Sequence, residues 1–370
     1  MQATLDVFVV GDATEFHSEP TAANGPVSVR MIPTGVPTLR EFPGTASAQQ
    51  LLEGAGDLAA LVSGRVFESL CEIKMMMTLI GTDPDVAATA SVDPVDAASF
   101  SSVPDPLSGF EIGHGIRVLL APRAGHGPIV FRRSRFKHVG PLRSVAEPVW
   151  DWLIQAVRAG EKIHSSPIGA ALKSTECRLP LLAPPRPGKD SAWLREYLTA
   201  FVPREFGVHP PSKTSATALS AGLFQWHDFL DESHQLSQSI EGQGEDRLGD
   251  YWHAIMHRRE PDYSNAKYWF RQIGRQQTYR TLQKEADATL ASLSDPRADR
   301  WRDRLHPGSK WDPFAFVDLC EECAADETTD LACAARRIQY IEMSLLMGMT
   351  CRQCGGGDES VSLAQAANRA

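Results

Sequence analysis

Four imidazoles crowd one short stretch of this chain. Between Trp226 and Phe270 the sequence reads WHDFLDESHQLSQSIEGQGEDRLGDYWHAIMHRREPDYSNAKYWF, holding His227, His234, His253 and His257 among three tryptophans. Asp228, Asp231 and Glu232 lie between them. Imidazoles and carboxylates set among bulky aromatics suit a buried polar site, because the rings exclude water and strengthen each charge contact. His227, Asp231 and His234 are spaced i, i+4, i+7, so a single helix would put all three on one face, as general base and orienting groups. His253 and His257 are one turn apart and would share a face of the next helix. Two such helices packed together would gather nitrogen ligands of the kind that suit zinc or iron, and a bound metal would activate water at neutral pH. His253-Ala-Ile-Met-His257 lacks the glutamate of the zinc-protease pattern, so the spacing alone fixes no reaction. Satisfied core histidines would give the same spacing. Arg258 and Arg259 follow directly and would hold a carboxylate or phosphate beside the site, or else cap the helix end.

Two further constellations carry chemistry. RAGHGPIVFRRSRFKHVGPLR (123–143) contains Arg132, Arg133, Arg135 and Lys137 with no acid at all. Cations interleaved with Phe131 and Phe136 are what a small anionic ligand or, less well, a nucleic acid requires. A charged edge strand is the competing explanation. Cys320-x-x-Cys323 and Cys351-x-x-Cys354 would complete a tetrahedral zinc site if a helical hairpin over 328–349 brought them together. Otherwise they are small buried thiols.

The elements that must position these groups follow from the totals. At 370 residues the chain exceeds one ordinary core, and two or three domains are expected. Residues 1–111 carry fifteen acids against four bases, and residues 112–212 fifteen bases against seven acids. That asymmetry implies docking between the two blocks or an anionic partner for the second. The reading is an acidic α/β segment over 1–110, a basic α+β segment over 111–208, an α-helical His/Trp-rich domain over 215–354 and a disordered tail over 355–370. The fold class is thus an α/β or α+β N-terminal half with a mostly α-helical C-terminal domain.

Within the first half, strands are expected at Leu5–Val10 and Val27–Ile32, with Asp12 in the following turn as a ligand-contact candidate. A helix is expected from about Ala48 to Met77, a flexible acidic loop over 82–109, strands from Gly115 (IRVLLAP, GPIVF), and an amphipathic helix over Glu147–Ala159. PLLAPPRPGKD (180–190) reads as a connector. Ala216–Ile240 reads as one helix, and Gly242–Gly249 breaks it. No apolar run is long enough for a membrane span, and seven cysteines in so long a chain do not form a disulfide framework. A cytoplasmic location is therefore expected.

SQSIEGQG and YWHAIMHRREPDYSNAKYWF resemble an uncharacterised bacterial helical family over roughly 215–349, with WDPFAFVDLCE (311–321) in the same pattern. No activity is attached to that family, so the resemblance implies a helical domain and no function. The residues leave two classes open. One is a ligand-binding, metal-dependent hydrolase-like site acting on an anionic small molecule. The other is a noncatalytic helical module that binds a protein partner.

Overall fold

The computed structural model describes residues 179–355 apart from 245 and 309 and, before them, 3–10, 27–33, 57–63, 76, 80, 84–91, 114–120, 129–140, 143, 145 and 148–166. The chain divides into two compact units. One comprises 1–101, 113–175 and 204–207, and the other 102–112, 176–203 and 208–370. A sheet dominates the first and helices the second.

The first unit holds a six-stranded mixed sheet in the order β2-β1-β3-β5-β4-β6. Its strands are β1 (Ala3–Val10), β2 (Val27–Pro33), β3 (Leu58–Ser63), β4 (Val86–Ser91), β5 (Ile129–Arg132) and β6 (Lys162–Ser166). β1 pairs parallel with both β2 and β3, β5 runs antiparallel between β3 and β4, and β6 returns parallel to β4. Among the described residues, short helices accompany them: α1 (His114–Leu120), α2 (Arg133–Val139) and α3 (Pro148–Arg158). α3 buries Trp150, Trp152 and Ile154, and the Trp150 indole donates to the Val118 carbonyl of α1 at 2.7 Å.

Several expectations change here. Residues 58–63 form a strand where the leucine spacing predicts a helix, because β3 is a central strand with Ala59 and Ala60 wholly buried. A strand buried on both faces reads as a continuous apolar run and loses its period of two. Residues 86–91 are likewise β4, not loop. IRVLLAP begins in α1 rather than a strand, with Ile116, Val118, Leu119 and Leu120 all buried. The basic run 133–139 is helical, so no charged edge strand forms there. Asp12, most of the expected 48–77 helix and the tail beyond 355 lie outside the described residues.

The second unit is built from α4 (Ala192–Thr199), α5 (Lys213–Trp226), α6 (Leu230–Ser239), α7 (Leu248–Arg259), α8 (Tyr263–Ile273), α9 (Tyr279–Ala291), α10 (Pro296–Leu305), α11 (Pro313–Cys323) and α12 (Asp330–Gln353). Asp262, Asp295, Asp312 and Thr329 each accept a first-turn N–H and so fix four of the starts. α12 is 24 residues long, about 36 Å at 1.5 Å per residue. It is buried along most of that length, polar residues included. A polar residue in such a position needs an internal partner. Glu342 receives the Tyr251 hydroxyl and Arg258, the Trp252 indole donates to Thr350 at 3.2 Å, and Gln339 donates to the Leu181 carbonyl at 3.0 Å.

The proline-rich run begins as a strap laid on this unit. Arg336 donates to the carbonyls of Leu179 and Pro180, while the Glu327 carboxylate receives the N–H groups of Leu182 and Ala183 at 2.9 and 3.1 Å. The helical unit therefore starts well before residue 215.

Candidate metal centre

The His-rich stretch folds into α5, α6 and α7 with a break that the helical spacing does not reveal. α5 ends in a Schellman motif: the Phe229 N–H bonds to the Phe224 carbonyl and the Asp228 N–H to the Gln225 carbonyl, with Asp228 at φ 65°. Aspartate tolerates this left-handed conformation better than most side chains. The turn separates His227 from Asp231 and His234, so the three do not share a helix face. His227 is buried at the end of α5, and Asp231 is exposed and pairs with Arg186 at 3.4 Å.

His234 has different neighbours. Its ring centroid lies 4.9 Å from that of His253 and 5.0 Å from that of His257. The Nε2 atoms of His253 and His257 are 3.0 Å apart. One ring nitrogen from each of the three lies within 4.8 Å of the others, the one such His/Cys/Asp/Glu set among the described residues. Zinc–nitrogen bonds of about 2.0–2.1 Å imply a tetrahedral edge of roughly 3.3 Å. The His253–His257 pair lies close to that edge, and a His234 nitrogen stands within 4.8 Å of both.

The surroundings favour neutral imidazoles. Burial, followed by the neighbouring His257 and His234, pushes His253 down to about 3. Burial and His234 lower His257 to about 4, with Asp262 opposing. Neutral imidazole is the form that binds a metal. Trp269 stacks on His253 at 4.0 Å between centroids. Glu260 and Asp262 stand 3.7 and 3.9 Å from His257 Nδ1, where a carboxylate can fix the ring's orientation. The Asn265 amide lies 3.1 Å from His257 Nε2. His253 and His257 are buried, and His234 is half-buried on the solvent side.

The remaining candidates go elsewhere. Arg258 is wholly buried, bonded to Glu342 and set over the Phe316 ring. Arg259 donates to the Gln225 carbonyl at 2.7 Å and the Asp228 carboxylate at 2.6 Å. Both serve the core and are closed to an outside ligand. Arg132 joins the Val86 and Ile80 carbonyls and Asp57; Arg135 pairs with Glu161 at 3.5 Å; Arg133 is buried. The Lys137 side chain lies outside the described residues. The two cysteine pairs do not converge. Cys320 and Cys323 pack with Leu331, Ala335 and Ile338 towards the start of α12, while Cys351 and Cys354 sit at its far end. One unbroken helix replaces the expected hairpin and keeps the pairs apart. Sequence reasoning passed over Trp269, Asn265, Glu260 and Asp262 as parts of the site, although EPDYSN begins three residues after His257.

No family model matches the chain, and no curated protein does. Among solved structures, a mannosyltransferase from Pyrobaculum calidifontis in complex with GDP-Man and Mn2+ aligns over 89% of this chain and 88% of its own, at 11% identity and a TM-score of 0.30. Among the described residues, no helix is long and apolar enough to cross a membrane.

Proposed function

We propose that the helical unit holds a divalent transition metal of the zinc or iron class at His234, His253 and His257, and that it works as a metal-dependent hydrolase. The observation that carries this reading is the convergence of three imidazole nitrogens within 4.8 Å. Three histidines leave one position of a tetrahedral ion open, as catalytic rather than structural sites do. The metal would supply a polarised water there. The chain's own residues do the rest: Glu260 and Asp262 would orient His257 from the side of its Nδ1, Trp269 stacks on His253, and half-buried His234 is the least enclosed of the three ligands.

The test is elemental analysis of untagged protein, followed by cobalt substitution. One equivalent of metal, lost in His253→Ala, supports the site. Cobalt d–d bands that shift on adding azide show an exchangeable fourth ligand and support hydrolysis. Bands indifferent to azide make the centre structural, and metal-free protein that rejects added zinc and iron ends the reading.

A further inference from the structure

A cavity of about 810 Å³ opens beside the start of α9, lined by Arg275, Arg280, Lys284, Lys310, Tyr279 and Trp311 among others. It is not the histidine site. Tyr279 packs against Tyr251 at 6.1 Å, and Tyr251 is two positions before His253 on α7, hence on the opposite side of that helix.

Its electrostatics are unusual for this molecule. The chain carries 46 acidic against 37 basic side chains, and most described arginines of the helical unit meet a carboxylate. Among the described residues, the four cations around this cavity meet none, although Glu285 also lines it. Arg280 and Lys284 are one turn apart on the same face of α9, and Arg275 and Lys310 come from the flanking loops. The cap residue Thr278 makes no side-chain bond to the first turn, so the positive end of the helix dipole adds to the same field. Trp311 is 7% exposed, and its indole N–H has no acceptor. Four converging cations repel one another unless an anion neutralises them. A monocarboxylate leaves most of that charge uncompensated. A phosphate carries up to two charges and three acceptor oxygens, and guanidinium groups grip it in bidentate fashion.

We infer that this cavity is a binding site for a small molecule bearing two or more phosphate groups. The ligand's oxygens engage Arg275, Arg280, Lys284 and Lys310.

The probe is inorganic pyrophosphate, titrated calorimetrically into the full chain. Arg280→Glu and Lys284→Glu, both at exposed positions, are each expected to weaken binding at least about tenfold. Arg186→Glu changes the net charge equally at a remote surface position and is expected to leave binding unaltered. His253→Ala/His257→Ala should also bind pyrophosphate normally, which separates this site from the metal centre. Absence of pyrophosphate binding overturns the assignment, as does an equal loss in all three charge reversals. Loss of binding in the histidine variant would place the phosphate on the metal instead. Binding of a single-stranded RNA oligonucleotide but not pyrophosphate would make the surface a nucleic-acid site and overturn it too.

Discussion

His253 and His257 face each other one turn apart on α7 with their Nε2 atoms 3.0 Å apart, and the Trp269 ring stacks on His253. Neutral rings can share one proton in this arrangement; two charged rings cannot. The pair is therefore arranged for neutral imidazoles or for a bound cation, and both states can be examined.

Removing either member of the pair should cost metal affinity. His253→Ala and His257→Ala are each expected to weaken zinc binding by at least about a hundredfold in chelator competition, since one of only three protein ligands is lost. His227→Ala and Cys351→Ser/Cys354→Ser should retain full stoichiometry. Equal losses in His227→Ala would show that the three-histidine set is wrongly drawn.

Acid should destabilise the metal-free protein through the same pair. The folded-state values of about 3 and about 4 lie below the ordinary 6.5, so the unfolded chain binds more protons between those limits. The stabilisation from neutral burial is complete above about 6.5 and is lost as pH falls from there towards 3. Urea unfolding from about pH 7 to about pH 4 should show a steeper decline than in His253→Phe/His257→Leu. Parallel declines would remove the pair from the acid response.

The buried Arg258–Glu342 pair gives an asymmetric expectation. Glu342→Ala leaves a guanidinium without its counter-charge among Phe270, Phe316 and Tyr251, and should cost about 3–5 kcal/mol in urea unfolding. The double variant Arg258→Met/Glu342→Leu should recover much of that, because it removes both charges together. Failure of the double variant to recover would show that Arg258's packing matters more than its charge.

Close packing between α5 and α7 rests on one glycine. A Cβ added at Gly222 would stand 2.7 Å from the Trp252 ring, whose indole is already tied to Thr350. Gly222→Ala should therefore cost about 1–3 kcal/mol, read as a lowered unfolding midpoint. An unchanged midpoint would mean that Trp252 can shift without loss.

Much of the helical unit was legible because its apolar positions recur at helical spacing and its starts carry Asp or Thr caps. The His253–His257 pair was legible for the same reason. The departure of His227 and Asp231 from them was not, because the turn before α6 uses Asp228 in a left-handed conformation where a sequence reader looks for glycine. With α5 and α6 read as one helix, His227 and Asp231 were expected to join the three histidines that do meet. The sheet was harder. β3 and β4 are short, alanine-rich and buried, so neither alternation nor β-branching marks them. The cysteine pairs misled because two thiols at matching spacing say nothing about the rigid length between them.

The strap over residues 179–183 bears on where this protein can be cut. Its carbonyls accept from Arg259, Arg336 and Gln339, and its N–H groups occupy Glu327. A fragment begun at Ser215, where the composition shifts, would leave three buried donors and a carboxylate with fewer mates, and such groups are costly to strand. The smallest piece that folds by itself must begin ahead of Leu179, and a recombinant fragment drawn at the apparent boundary should come out insoluble.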